Sequence, residues 1–244
     1  MKIKENGIRK KTPKMKYNNI HSAIFISRPN RFIANVEIDG QIETVHVKNT
    51  GRCRELLIPG VEVMLEKSNN PARKTAYDLV MVYKDGLGWV NIDSQMPNYL
   101  VKEWLATNPE PFEDIATVKP EHTYGKSRFD FYMESETRKV LMEVKGVTLE
   151  RNGIGYFPDA PTQRGVKHIK ELIKAKEEGY DVYLAFVIQM NGIKEVRPNI
   201  ETHPEFGEAL KEAEKSGVKV LFLLCEITRD EIKINLCMEK KSCP

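Results

Sequence analysis

The clearest pattern of apolar and polar positions lies in residues 127–147. There Phe129, Phe131 and Met133 alternate with Arg128, Asp130 and Tyr132, and Val140, Met142 and Val144 alternate with Leu141, Glu143 and Lys145. Successive side chains of a strand point to opposite faces. The spacing therefore predicts two strands, 128–133 and 139–145, joined by a polar turn over 134–138. A hairpin centred between Glu136 and Thr137 lays the two apolar sets side by side on one surface. The same register faces Asp130 with Glu143, and Arg128 with Lys145, on the other. Opposed Cβ atoms in a sheet sit about 4.5–5.5 Å apart, and like charges at that distance destabilise the pairing. Facing carboxylates are tolerable with a positive charge between them, and a hard divalent cation such as Mg2+ takes oxygen ligands from one or two carboxylates plus waters. The residues alone leave a second interpretation open: an amphipathic hairpin with a wet outer face, its Arg and Lys forming surface ion pairs of small worth.

On the N-terminal side, short apolar runs over 20–26, 31–38, 42–47, 61–65, 77–83 and 88–92 are separated by turn signals, Asp39-Gly40 and Asp85-Gly86 among them. Short strands at this spacing with no long helix predict a small OB-like barrel over residues 20–93. The character changes at Ser94. Helical spacing over 97–107 puts Leu100, Val101, Trp104 and Leu105 on one stripe, and a second helix runs from a Thr162 cap to Glu178, stopped by Gly179. A glycine-rich loop fills the stretch between the hairpin and that helix. A third helix covers 204–216. The runs 182–189 and 218–226 are continuously apolar, as strands buried on both faces are, and 232–236 reads as an edge strand. The expected fold class is α/β (α+β): an OB-like β-barrel followed by a mixed-sheet α/β domain over 94–244.

Composition narrows the setting. At 244 residues, 41 % hydrophobic and 30 % charged, the chain suffices for one large or two small domains. It has no apolar run of membrane-spanning length and no apolar segment of a secretory signal, and its four cysteines form no C-x-x-C pair. A cytoplasmic protein with free thiols and no membrane contact is the expectation. The net charge of +3 is unevenly placed: residues 1–19 carry seven basic side chains against Glu5 alone, and the remainder is weakly acidic. That segment reads as a flexible tail, suited either to phosphate neutralisation or to solvation.

An aspartate followed on the next strand by Glu-x-Lys, and then a helix, resembles the PD-(D/E)XK nuclease arrangement. A wider set of motifs resembles the sugar fermentation stimulation protein (SfsA) family: Arg28-Pro-Asn-Arg-Phe32, His46-Val-Lys-Asn-Thr-Gly-Arg52, Glu55-Leu-Leu-Ile-Pro-Gly60, Ser127-Arg-Phe-Asp130, Glu143-Val-Lys145, Phe157-Pro-Asp-Ala-Pro161 and Thr162-Gln-Arg-Gly165. The similarity runs from about residue 20 to residue 226, leaving the basic segment outside it.

The resemblance implies an OB-like domain, a nuclease-like C-terminal domain and DNA binding. It implies that Asp130 and Glu143 hold Mg2+ or Mn2+, helped by the Val144 carbonyl, with Lys145 positioning the attacking water and stabilising charge on the phosphate. Glu121 matches an extra acid that such nucleases place on their first core helix, where it would take a second metal; a solvated acid before a turn is its plainer role. Thr162, Gln163 and Arg164 lie at a helix start that favours a phosphate, with Lys167 and then His168 further along; Thr162 also serves as an ordinary cap. Asp159 either assists the metal or caps its turn. Arg128 on the hairpin, and Arg28, Arg31, Lys48 and Arg52 with Asn30, His46 and Asn49 on two barrel loops, are the expected nucleic-acid contacts. Only Phe25 and Phe32 lie near them as stacking aromatics. Two functions follow: a metal-dependent nuclease cutting phosphodiester bonds, or a non-catalytic DNA-binding regulatory protein on a nuclease fold. RNA remains open as polymer, and the oligomeric state is open between monomer and homodimer.

Overall fold

The computed structural model describes residues 14–49, 51–107 and 109–240. Its first strand, β1 (Lys14–Lys16), is not part of the barrel. It pairs antiparallel with the last strand of the second sheet, Met15 opposite Ile232, so the end of the basic segment is structured; the rest of that segment lies outside the described residues.

The barrel follows as β2 (Ile20–Ser27), β3 (Ile33–Ile38), β4 (Gln41–Val47), β5 (Glu62–Lys67), β6 (Tyr77–Lys84) and β7 (Gly88–Asn91). Alternation drives it: Ala23 and Phe25, Ala34 and Val36, and Val45 and Val47 point inward and are buried, while their neighbours face water. Asp39 and Gly40 both have positive φ (51° and 76°), the backbone a two-residue hairpin turn needs to join β3 and β4. The strand order β4-β3-β2-β5-β6 closes through a parallel β4–β6 pairing, His46 with Asp78 and Val47 with Leu79, which leaves no open edge among those strands.

The second domain runs α1 (Met96–Leu105), β8 (Thr117–Tyr124), β9 (Ser127–Glu134), β10 (Lys139–Val147), β11 (Leu149–Arg151), β12 (Ile154–Phe157), α2 (Gln163–Glu177), β13 (Asp181–Ile188), β14 (Glu195–Pro198), α3 (Pro204–Lys215), β15 (Lys219–Ile227) and β16 (Glu231–Glu239). Its main sheet has the order β1-β16-β15-β13-β10-β9-β8, with β10, β13 and β15 parallel at the centre. These central strands are covered on both sides, which is why β13 and β15 read as unbroken apolar runs. α2 and α3 cover one face through Val166, Ile169, Leu172, Phe206 and Ala209; α1 covers the other through Leu100, Val101 and Trp104.

Three expectations change. The stretch read as a glycine-rich loop is the β11–β12 hairpin, which with β14 forms a small separate sheet. β8 is an added strand: it contains Pro120 and is largely exposed, an edge position where a missing N–H is tolerated. The outer hairpin face is not wet, because α2 packs on it and buries Tyr132 and Leu141.

The two domains meet across a contact that is apolar at Met64, Met81 and Trp89, which join the α1-side core, and that also holds a polar cluster. β7 touches the end of β13 through a Val90–Met190 bridge, and Gln189 Nε2 donates to Asn91 O (3.1 Å), Asn91 Oδ1 (2.8 Å) and Asp93 O (3.1 Å). Asn91 donates to the Tyr17 hydroxyl (2.8 Å), which donates to Asp93 (3.3 Å). Among the described residues no helix is long and apolar enough to cross a membrane.

Candidate active site

The hairpin register fixes the site. β9 and β10 pair from Glu134–Lys139 to Phe131–Met142, a hairpin centred between Glu136 and Thr137. The ladder then stops, one pair short of Asp130 and Glu143. β8 behaves alike on the other side of β9. Pro120 pairs with Phe131 and His122 with Phe129, while the intervening Glu121 has φ 55° and leaves Asp130 unpaired there too. Direct opposition of carboxylates is what a ladder resists, and the strands part where it would occur. The face assignment of β9 also changes at this point. Phe131 packs into the α1-side core, whereas Phe129 packs into the α2-side core, its ring 5.8 Å from that of His168.

Freed from the ladder, the Asp130 carboxylate accepts from the Val144 N–H (2.7 Å) through Oδ2 and from Asn98 Nδ2 of α1 (2.8 Å) through Oδ1. Glu143 lies one residue back from Val144 and is only 3 % exposed. Its Oε1 accepts from Lys145 Nζ (2.5 Å) and from His168 Nδ1 (2.5 Å), and its Oε2 is buried with no hydrogen-bond partner. Arg164 Nε donates to His168 Nε2 (3.4 Å), so that nitrogen is the acceptor and Nδ1 carries the hydrogen given to Glu143.

Burial and the neighbouring Glu143 charge raise the pKa of Asp130 above the ordinary carboxylate value, against the opposing pull of the Val144 N–H, Lys145 and Asn98. Burial acts in the same sense on Glu143, but the His168 hydrogen bond and Lys145 outweigh it and leave the pKa lowered. The environments push the two carboxylates apart, as in sites built for acid–base or metal chemistry. Asp130 is then a cost to the fold wherever it is ionised. A raised folded pKa means the ionised group lowers stability at neutral pH, and the penalty vanishes below the unfolded value of about 3.9. Asp130→Asn, measured by thermal unfolding in chelator, is expected to melt higher near neutral pH, with the gain shrinking on acidification. Asn98 can turn its amide to receive the new NH2. A variant that melts lower at neutral pH would contradict this.

The donor set fits a hard cation. It offers two carboxylates from adjacent strands, one with a buried oxygen lacking any partner, and Mg2+ accepts one or two carboxylates with water completing its shell. Among the described residues no group of three or more His, Cys, Asp or Glu side chains is arranged to hold a metal. Glu121 accounts for the missing third. It sits on the edge strand β8, not on a helix, with its side chain 70 % exposed and 3.6 Å from Arg128. The helix beside Asp130 is α1, and it presents Asn98 instead.

The basic residues divide into two groups. Arg128, Arg164 and Lys167 are exposed, and Lys167 Nζ donates to Lys126 O (2.6 Å), tying the α2 start to the β8–β9 turn. Thr162 Oγ1 caps α2 by accepting from the Gly165 N–H (3.0 Å), and Gln163 donates to Glu205 (3.2 Å). Arg31 and Arg52 are exposed on the barrel, with the Arg31 guanidinium 4.8 Å from the centre of the Phe32 ring. Arg28 and Lys48 are different. Arg28 donates to four backbone carbonyls, Gly51 (2.9 Å), Arg52 (2.8 Å), Arg31 (2.9 Å) and Asn49 (2.6 Å). Lys48 is half-buried beside Asp93 (3.1 Å) and Glu66 (3.8 Å). Both are half-buried and tied to partners within the barrel. Asp159 lies on the loop before α2, against Gly51 of the barrel, where a Cβ on Gly51 would fall 2.3 Å from its Oδ2. Sequence reasoning gave no role to Asn98 and none to His168 beyond its place on the helix. His168 shares the buried stripe of Gly165, Ile169 and Leu172, and that stripe was the available signal.

Residues 26–92 match the family model described as the SfsA N-terminal OB domain, and residues 95–231 that of the sugar fermentation stimulation protein RE domain. The chain is 55 % identical over 219 residues to the sugar fermentation stimulation protein homolog of Desulfitobacterium hafniense (strain DSM 10664 / DCB-2), covering 90 % of this chain and 95 % of that one. It is 54 % identical over 220 residues to the homolog from Clostridium beijerinckii, covering 90 % and 96 %. The solved structure of Pyrococcus furiosus SfsA in complex with Ca2+ superposes with a TM-score of 0.80 at 29 % identity, covering 90 % of this chain and 95 % of that one.

Proposed function

This chain belongs to the sugar fermentation stimulation protein (SfsA) family, and on that premise we propose that it is a metal-dependent nuclease, acting on DNA as its expected polymer at Asp130, Glu143 and Lys145. The buried, unpartnered Oε2 of Glu143 carries most weight. An orphaned carboxylate oxygen in a protein interior costs stability unless something occupies it. A protein that only bound DNA would gain nothing from burying Glu143 beside Asp130. The archaeal relative's complex with Ca2+ supports a cation that prefers oxygen ligands, and Mg2+ or Mn2+ is the expected one here.

Asp130 and Glu143 would hold the cation, which supplies Lewis acidity and charge neutralisation at the scissile phosphate. His168 and Lys145 keep Glu143 ionised and fix its Oε1, so that Oε2 is the oxygen left for ligation. The Lys145 ammonium, on the same pleat as Glu143, orients the attacking water and stabilises negative charge on the phosphate. Arg128, Arg164 and Lys167 add a positive field, and the α2 N-terminus adds its dipole, for neighbouring phosphates.

The exposed position of Glu121 favours a second reading, a DNA-binding regulatory protein without turnover, because it leaves only two acids at the centre. Incubating labelled single- and double-stranded DNA and RNA with Mg2+, Mn2+ or EDTA separates the two. Metal-dependent cutting of at least one polymer is the expected result. Binding that persists in EDTA, with no cutting of any substrate in either metal, would leave the regulatory reading.

A further inference from the structure

Asp130 opens on its α1 side into a cleft of ≈410 Å³ that the metal and phosphate roles leave unused. One wall is the solvent-facing stripe of α1: Gln95, Asn98, Tyr99 and Lys102. The other is the β8 edge at Pro120 and Glu121. Tyr99 is 51 % exposed. The α1 core contacts are made by Met96, Leu100, Val101 and Trp104, and among the described residues Tyr99 makes no aromatic pair and is not one of the buried core residues. An isolated exposed aromatic is ordinary; one in a cleft that ends on the candidate catalytic aspartate is not.

Charge selects the occupant. Lys102 is the cleft's one cation against Asp130 and Glu121, so a phosphate is repelled from its floor while a neutral, flat, hydrogen-bonding group is admitted. The amides suit such a group. Gln95 stands at the helix start but its side chain makes no capping bond, and Asn98 uses its NH2 on Asp130, which leaves its carbonyl oxygen to accept. A stacking ring flanked by amides within reach of the reacting phosphate is the chemistry that receives a base.

We propose that this cleft is a nucleobase subsite, in which the base of a nucleotide adjoining the scissile phosphate stacks on Tyr99 with its edge read by Gln95 and Asn98. The assignment rests on the nuclease reading of Asp130. A paired, stacked base cannot enter, so the site selects single-stranded, frayed or flipped segments over continuous duplex.

The test is equilibrium binding of fluorescent short single-stranded DNA and RNA, and of blunt duplex, to the full chain in chelator. Wild type is compared with Tyr99→Ala and Tyr99→Trp. Tyr99→Ala is expected to weaken single-strand binding by about 5- to 100-fold and leave duplex binding unchanged, while Tyr99→Trp retains the affinity. In wild type, an abasic nucleotide walked along the strand should reproduce the loss at one position, and Tyr99→Ala should be insensitive to it. Equal single-strand binding by wild type and Tyr99→Ala, an equal loss on duplex, or no single-strand binding by wild type overturns the subsite. Cleavage of the same oligonucleotides in Mn2+ separates the two ideas. Tyr99-dependent binding without cutting keeps the subsite and removes the nuclease, and cutting that ignores Tyr99 does the reverse.

Discussion

Glu143→Gln is expected to lower metal-dependent cleavage about 10³-fold or more while leaving the fold intact. The substitution preserves shape. The remaining Oε1 still accepts from His168 Nδ1 and Lys145 Nζ, so the contacts that hold the side chain survive. The change falls on Oε2, the oxygen with no hydrogen-bond partner, which becomes an NH2 that cannot ligate a cation. A cation contributes several kcal/mol at the transition state, and each ~1.4 kcal/mol is a factor of ten in rate. Calorimetric titration with Mn2+ should show the binding isotherm lost along with the activity, at a melting temperature close to wild type in chelator. Wild-type cutting by Glu143→Gln would remove Glu143 from the centre of the mechanism. Loss of activity together with loss of folded structure would mean that the carboxylate is structural.

Arg28→Met is expected to produce the largest loss of stability among the basic residues, and no specific loss of nucleic-acid affinity. Methionine keeps much of the apolar stem and deletes every donor. Four carbonyls, those of Arg31, Asn49, Gly51 and Arg52, then lose a charged partner at once. Partly buried groups left unpaired in this way cost about 3 kcal/mol or more in total, since water can reach some of them. For a chain of this size that is a fall of about 6–12 °C in Tm. Arg164→Ala provides the contrast: its exposed guanidinium should cost affinity and flatten the salt dependence of binding with little change in Tm. If Arg28→Met melts like wild type and binds nucleic acid poorly, the loop carbonyls are not its partners in solution.

Strict alternation carried most of the fold. Phe129, Phe131 and Met133 against Val140, Met142 and Val144 allow one hairpin register in which both apolar sets meet; the observed pairing has that register as far as Phe131–Met142, beyond which Phe129 turns to the other core. Thr162 followed by a 3.6-residue stripe placed α2 for the same kind of reason. What escaped lacks such a repeat. β8 holds a proline and mixed charges because it is largely exposed and has a pairing neighbour on one side only, and β11 and β12 are too short, around Gly153 and Gly155, to show a period. At the site, Asp130, Glu143 and Lys145 could be read because neighbouring strands fix them. His168 and Asn98 could not, since their contacts join elements 25 and 32 residues apart, and only tertiary packing decides which helical face arrives there. For Arg28 and Lys48 the sequence shows a cation, and only the surroundings show which partners its hydrogens already have.

The pairing of β1 with β16 changes what the barrel is. The chain first contributes a strand to the main sheet of the second domain, then leaves to build the barrel, and returns through α1. The barrel is therefore an excursion tethered at both ends, not an appendage on one linker. A fragment beginning at residue 95 would lack β1 and uncover the N–H and C=O groups of Glu231–Lys233 along the sheet edge. It would also take Asn91 and Asp93 away from Gln189, leaving a buried amide without acceptors. Removing the barrel while keeping β1 and the acceptors of Gln189 would require joining residue 17 directly to residue 91, which is surgery on the middle of the polypeptide, not truncation of its end.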